Sequence, residues 1–144
     1  MDDKRIRVGV LGAGGRMGQA IIAELAGAAC GVQPGGHARL CLAGAIERAG
    51  HALVGQPLGP PFPPALTVCT NHGPLAIAAD VLIDFTSPGA LEATLDAACD
   101  GKAALVIGTT GLEPQHHRMI DRAAQSVPIL QAANTSLGVT LLAR

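Results

Sequence analysis

The chain has 144 residues, 49% of them apolar, which is enough for one compact core and too hydrophobic for a disordered segment. Its formal charge of −1 and its only two aromatic residues, Phe62 and Phe85, provide neither the basic patch nor the stacking platform that nucleic acid needs. No apolar run approaches the ~20 residues of a membrane span, and Met1 to Arg5 carries no signal-peptide apolar region, so the expected location is cytoplasmic.

The first predicted element is a strand over Arg7–Leu11. It leads straight into Gly12-Ala13-Gly14-Gly15-Arg16-Met17-Gly18, and a helix over Gln19–Ala26 follows. This order brings bare backbone N–H groups and the positive end of a helix dipole to one spot, which suits a pyrophosphate. A glycine-rich surface loop is the plain alternative, and the flanking strand and helix favour the dinucleotide turn. Met17 stands where G-x-G-x-x-G from Gly12 would place its last glycine. The spacing that fits is Gly12, Gly15 and Gly18. It supplies a turn glycine, an open approach for phosphate and a small residue at the helix–sheet contact.

A loop over Gly31–His37 with Pro34 precedes a second strand, Arg39–Ile46, which ends at Glu47-Arg48. An acidic residue at that strand end accepts hydrogen bonds from the adenosine ribose. Glu47 lies farther from the turn than the usual ~20 residues, and the 31–37 loop accounts for the excess. Arg48, or Arg16 from the turn, would instead pair with a 2′-phosphate. Acid and base side by side suggest tolerance of both NADH and NADPH; a solvated loop pair is the alternative.

Between Leu53 and Ala65, Pro57, Pro60, Pro61, Pro63 and Pro64 exclude helix and interior strand and predict an extended surface loop. Leu66–Thr70 reads as a short strand, Leu75–Ala79 as a helical turn, and Val81–Thr86 as a buried strand. Pro88 starts a helix to about Asp100. Ala103–Ile107 is another buried strand, Glu113–Gln125 a helix, Val127–Ala132 a last strand, and Ser136 caps a helix with Leu137–Leu142 as its body. Short apolar runs alternating with helices predict a doubly wound α/β domain, a mostly parallel Rossmann-like sheet with helices on both faces. Cys30, Cys41, Cys69 and Cys99 form no C-x-x-C pair. Cys69 and His72 have a ligand-like gap but no second pair, so neither a metal site nor a disulfide is expected.

Ligands of such sheets bind beyond the carboxyl ends of the strands. Gly108-Thr109-Thr110-Gly111 is one such end, suited to the nicotinamide half or to a substrate carboxylate, with a plain turn as the alternative. Ala132-Ala133-Asn134-Thr135-Ser136 is another, where Asn134 is placed to hydrogen-bond a carboxamide.

Taken in order, Gly12–Gly18, Glu47-Arg48, Asp84-Phe85-Thr86, Gly108–Gly111 and Ala132–Ser136 with Gly138-Val139 resemble the 4-hydroxy-tetrahydrodipicolinate (dihydrodipicolinate) reductase family. The likeness spans nearly the whole chain. It implies that Gly12, Ala13, Gly14, Gly15, Arg16, Met17, Glu47, Arg48, Phe85, Thr86, Gly108, Thr109, Thr110, Ala132, Ala133, Asn134 and Thr135 contact NADPH or NADH. It also implies reduction of a cyclic dicarboxylate in diaminopimelate and lysine biosynthesis. Thr135 departs from the family, which usually has a larger hydrophobic residue there. The family's catalytic histidine and lysine belong to a second domain, with a signature resembling H-H-x-x-K-x-D-A-P-S-G-T, and this chain ends at Arg144 before any such segment. His116-His117-Arg118 is followed by no such pattern and reads as surface helix, so no catalytic residue is named. The expected organisation is a dinucleotide domain over 1–135 and, over 136–144, the start of a connection to a substrate domain outside this chain, which alone would be inactive. The resemblance implies a homo-oligomer only for a full-length chain. Two other readings share the glycine turn: the nucleotide domain of another dehydrogenase, such as a homoserine or sugar dehydrogenase, and a non-catalytic module that binds NAD(P)H.

Overall fold

The computed structural model describes residues 5–30 and 40–132. Its elements are β1 (Ile6–Leu11), α1 (Arg16–Cys30), β2 (Leu40–Ile46), β3 (Val68–Cys69), α2 (His72–Ala78) and β4 (Val81–Asp84). A 3-10 turn (Pro88–Ala90) then leads into α3 (Leu91–Gly101), β5 (Ala104–Ile107), α4 (Pro114–Ala123) and β6 (Ile129–Gln131). The six strands form one sheet in the order β3-β2-β1-β4-β5-β6, every pairing parallel. The expected doubly wound α/β architecture is therefore present. The chain leaves β1 toward β2 on one side and returns to β4 on the other, which opens a crevice above the carboxyl ends of β1 and β4.

Successive strand residues point to opposite faces, so the apolar runs feed two cores. On one face, Val8, Val10, Ala45 and Val68 pack with Leu25 of α1 and with the partly buried Leu58 and Phe62. On the other, Leu11, Ile46, Leu82, Leu105 and Ile107 pack with Leu75, Leu91, Leu95 and Ile120 from α2, α3 and α4. Each buried side chain of this size contributes roughly 1.5–3 kcal/mol relative to exposure. The strand ends that form the site are thus held from below by core packing. Cover is uneven among the described residues: α1 lies over β1 and β2, while Val81, Ile83, Ala104 and Val106 on the same face stay partly exposed. No helix among the described residues is long and apolar enough to cross a membrane.

Several boundaries differ from the sequence expectation, among them α2, which starts at His72 rather than Leu75, and β6, which is shorter at both ends; three have a plain local reason. α1 begins at Arg16, three residues early, because the glycine turn feeds the helix directly: Gln19 N–H donates to the Gly15 carbonyl at 2.9 Å. β3 shrinks to Val68–Cys69 because its outer side bonds to the proline segment. Gly55 N–H donates to Val68 O at 2.8 Å, and Val68 N–H to Gln56 O at 3.0 Å. That segment is the expected extended loop, and it also covers the edge of the sheet without extending the ladder, since prolines cannot donate. Pro88 opens a 3-10 turn before α3 begins at Leu91. The helix expected from Ser136 lies outside the described residues.

Candidate dinucleotide site

The glycine turn is fixed by atoms that leave no room for a side chain. Gly12 sits at φ +87°, and a Cβ there would lie 2.6 Å from the Phe85 carbonyl oxygen. At Gly18 a Cβ would fall on the Gly12 carbonyl oxygen. Glycine at these two positions lets β1, β4 and α1 approach backbone to backbone. Gly15 is different: it is exposed, and the nearest atom to a Cβ would be Gly12 O at 3.4 Å. The turn closes on itself through Gly15 N–H to Gly12 O at 3.1 Å, and Gly12 and Ala13 both donate to Ile46 O at 3.0 Å. Arg16 and Met17 open α1, both exposed, and the N–H groups of its first turn have no intrahelical acceptor.

Glu47 ties this turn to the end of β2. Its Oε2 accepts from Gly14 N–H at 2.7 Å and its Oε1 from Arg48 N–H at 2.9 Å. Each oxygen keeps a further lone pair for a ligand hydroxyl. The Arg48 side chain is exposed beside it. A cleft of about 700 Å³ opens here, lined by the glycine turn, by Glu47, Arg48, His51 and Thr70, and by His72, Phe85, Thr86 and Ser87.

Across the cleft, the ends of β4 and β5 are joined by a buried carboxyl. Asp84 has no exposed surface. Its Oδ1 accepts from Thr86 N–H at 2.9 Å, Thr86 Oγ1 at 2.6 Å and Thr109 Oγ1 at 3.3 Å. Thr109 Oγ1 in turn accepts from Thr86 N–H at 3.1 Å. Oδ2 is buried with no hydrogen-bond partner among the described residues. Burial pushes the Asp84 carboxyl above its ordinary range, against the downward pull of the threonine hydrogen bonds and of His72. Burial likewise lowers His72, with the Asp84 charge opposing it. A proton on Oδ2 removes the charge from a site where one oxygen has no donor to meet it.

The structure thus gathers Gly12, Gly14, Gly15, Glu47, Arg48, Phe85 and Thr86 around one cleft. Buried Ala13 backs the turn. Gly108 lies beneath the Phe85 ring, which a Cβ at Gly108 would strike, and buried Thr109 belongs to the Asp84 network. Thr110 is exposed, and Ala132 N–H donates to Ile107 O at 3.0 Å at the end of the sheet. Ala133, Asn134 and Thr135 lie outside the described residues. His116 closes the first turn of α4 by accepting from Glu113 N–H at 2.9 Å, and exposed His117 meets Gln131, so neither stands on the cleft wall. Cys69 and His72 gain no third metal-ligating partner: among the described residues, no three His, Cys, Asp or Glu converge. Asp84, His51 and His72 have no dinucleotide-site role that the sequence alone assigns. For Asp84 the available signal is a charge closing an otherwise apolar strand, Val81-Leu82-Ile83-Asp84; His72 shows only its gap to Cys69, and His51 has no local signal.

With this geometry in view, comparison with known proteins is specific. The family described as dihydrodipicolinate reductase, N-terminus, matches residues 6–135. A 4-hydroxy-tetrahydrodipicolinate reductase of Rhizobium meliloti is 39% identical over 96% of this chain and 55% of its own length. One from Zymomonas mobilis is 36% identical over 98% of this chain and 46% of its own. The chain therefore spans about half the length of the curated relatives it matches. A dipicolinate-bound dihydrodipicolinate reductase structure from Paenisporosarcina sp. TG-14 superposes with a TM-score of 0.66 at 24% identity, over 96% of this chain and 51% of that one, and shows the same fold. A match that runs from β1 past β6, through the glycine turn and every strand end described above, places this chain in the dihydrodipicolinate reductase N-terminus family.

Proposed function

We propose that this chain binds NADPH or NADH as the dinucleotide-binding part of a 4-hydroxy-tetrahydrodipicolinate reductase. The observation that carries the reading is the turn at Gly15, open to the cleft at the point where α1 presents its free N–H groups. The free N–H groups there suit the negative charge of a dinucleotide pyrophosphate. Gly12 to Met17 would hold the pyrophosphate, and Glu47 and Arg48 the adenosine ribose. Phe85 and Thr86 would form the facing wall. Gly108, Thr109 and Thr110, with Ala132, Ala133, Asn134 and Thr135, would attend the nicotinamide half. The bound cofactor supplies a hydride; the protein's share is to orient it and keep its ring at a fixed height above the strand ends.

The names of the relatives support a cyclic dicarboxylate as the hydride acceptor and a place in diaminopimelate and lysine biosynthesis. Their greater length supports assigning residues 1–135 to the cofactor domain and 136–144 to the approach to a substrate domain. Reduction of the dicarboxylate, a cytoplasmic location and any homo-oligomer belong to that full-length reductase. The family match favours this reading over a homoserine or sugar dehydrogenase domain.

Calorimetric titration with NADPH and with NADH, on the chain and on Gly15→Asp, tests the proposal. The chain should bind saturably, and Gly15→Asp about a hundredfold more weakly, because its carboxylate would face the pyrophosphate. The open space at Gly15 lets that variant fold. Failure of the folded chain to bind either cofactor, or equal binding by Gly15→Asp, would sink the proposal.

A further inference from the structure

Over the glycine turn lies an imidazole to which the reading above gives no role. His51 Nδ1 accepts from Leu53 N–H at 3.2 Å, so the neutral ring carries its proton on Nε2. The ring packs on Gly14, where a Cβ would stand 2.7 Å from His51 Nε2 and 3.0 Å from Glu47 Oε2. The Nε2 donor and the Oε2 acceptor therefore both lie beside Gly14, close enough to each other for one ligand oxygen to bridge them. Both side chains are half-buried on the cleft wall, and Nε2 has no hydrogen-bond partner among the described residues.

A donor and an acceptor this close together suit an oxygen on a ribose carbon that both gives and takes hydrogen bonds. Glu47 stands at the end of β2, where dinucleotide folds receive the 2′ position of the adenosine ribose. We propose that His51 is a specificity-determining residue of this site, its Nε2–H donating to the oxygen on ribose C2′. With NADH that oxygen is a hydroxyl, which can donate to Glu47 and accept from His51. With NADPH it bears a phosphate that Glu47 repels, and His51 joins Arg48 in offsetting that repulsion. A hydrogen bond to a charged acceptor is roughly twice as strong as a neutral one, so the ring matters more for NADPH.

This inference rests on the dinucleotide reading, and the experiment separates the two. NADPH and NADH are each titrated into the chain, His51→Phe and His51→Gln. Phenylalanine keeps a planar ring over Gly14 and removes the donor. Glutamine keeps an acceptor for Leu53 N–H and restores an N–H donor. His51→Phe should weaken NADPH about tenfold and NADH about threefold or less, and His51→Gln should recover most of the NADPH loss. Both cofactors are measured on one preparation, so an unfolded fraction cancels from their ratio. An unchanged ratio in His51→Phe, or a ratio in His51→Gln as altered as in His51→Phe, overturns the role of His51 and leaves dinucleotide binding standing. A folded chain that binds neither cofactor overturns both.

Discussion

The two walls of the cleft are held by different kinds of contact. At the ends of β1 and β2 the wall is backbone: Gly12 carbonyl against Gly18, Gly12 against the Phe85 carbonyl, and Ile46 O accepting from Gly12 and Ala13. At the ends of β4 and β5 it is a side-chain knot in which Asp84 Oδ1 gathers the Thr86 N–H and two threonine hydroxyls. The backbone contacts of the first wall carry no titratable atom, and a single added methyl group at Gly12 or Gly18 breaks them. The second wall depends on one acceptor atom and its protonation state. A site of this kind therefore has one end fixed by sterics and another whose strength follows pH.

The same contrast explains what could be read from the chain alone. Glycine sterics act over a few residues, so Gly12, Gly15 and Gly18 between an apolar strand and a helix announce the turn. The sheet was legible for a similar reason, since each short apolar run is one strand and each gap one crossover. In the sequence Asp84 is visible only as part of a motif, because its meaning depends on Thr109, 25 residues farther on. The cover of β3 by the proline segment is equally non-local. His51, in the turn after β2 where its N–H donates to Arg48 O at 3.2 Å, meets Gly14 only because β1 and β2 pair.

The largest expected effect is on the backbone wall. Gly18→Ala would gain about 1 kcal/mol of helix propensity at the start of α1. Against this, its Cβ would occupy the space of the Gly12 carbonyl oxygen, which cannot swing aside as a side chain would. Overpacking of this kind costs about 3 kcal/mol or more. Urea unfolding should show a net loss of at least about 2 kcal/mol, whereas Gly15→Ala, with open space around it, should stay within about 0.5 kcal/mol. Equal stability of the two variants would refute the steric account of the turn.

Next in size is removal of the knot's acceptor. Asp84→Ala leaves the two threonine hydroxyls without their acceptor, while Thr86 N–H keeps Thr109 Oγ1. Losing such partners in a buried setting costs about 1–3 kcal/mol, offset in part by removing a carboxyl whose Oδ2 had no partner. A net loss of about 2 kcal/mol is expected on unfolding, smaller than for Gly18→Ala. A stability gain would mean that burial of the carboxyl outweighs everything the knot provides.

The smallest effect is the most informative about the second wall. Asp84→Asn keeps an acceptor at Oδ1 and abolishes ionisation. Burial raises the folded carboxyl above the ordinary value of 3.8, so between 3.8 and that raised value the folded state holds the proton that the unfolded state has released. In that window the unfolded state binds fewer protons, and Asp84 makes the wild type lose stability as pH rises, the loss being complete above the folded value. His72 contributes the opposite slope. Its folded value lies below 6.5, so stability grows as pH climbs through the folded value toward 6.5, and it does so in both proteins. Urea unfolding of wild type and Asp84→Asn, from below 3.8 to neutrality, should therefore show the difference moving steadily in favour of asparagine. A flat difference would mean that the three hydrogen bonds to Oδ1 just offset burial, and one that moves the other way would mean that they outweigh it and hold the carboxylate charged.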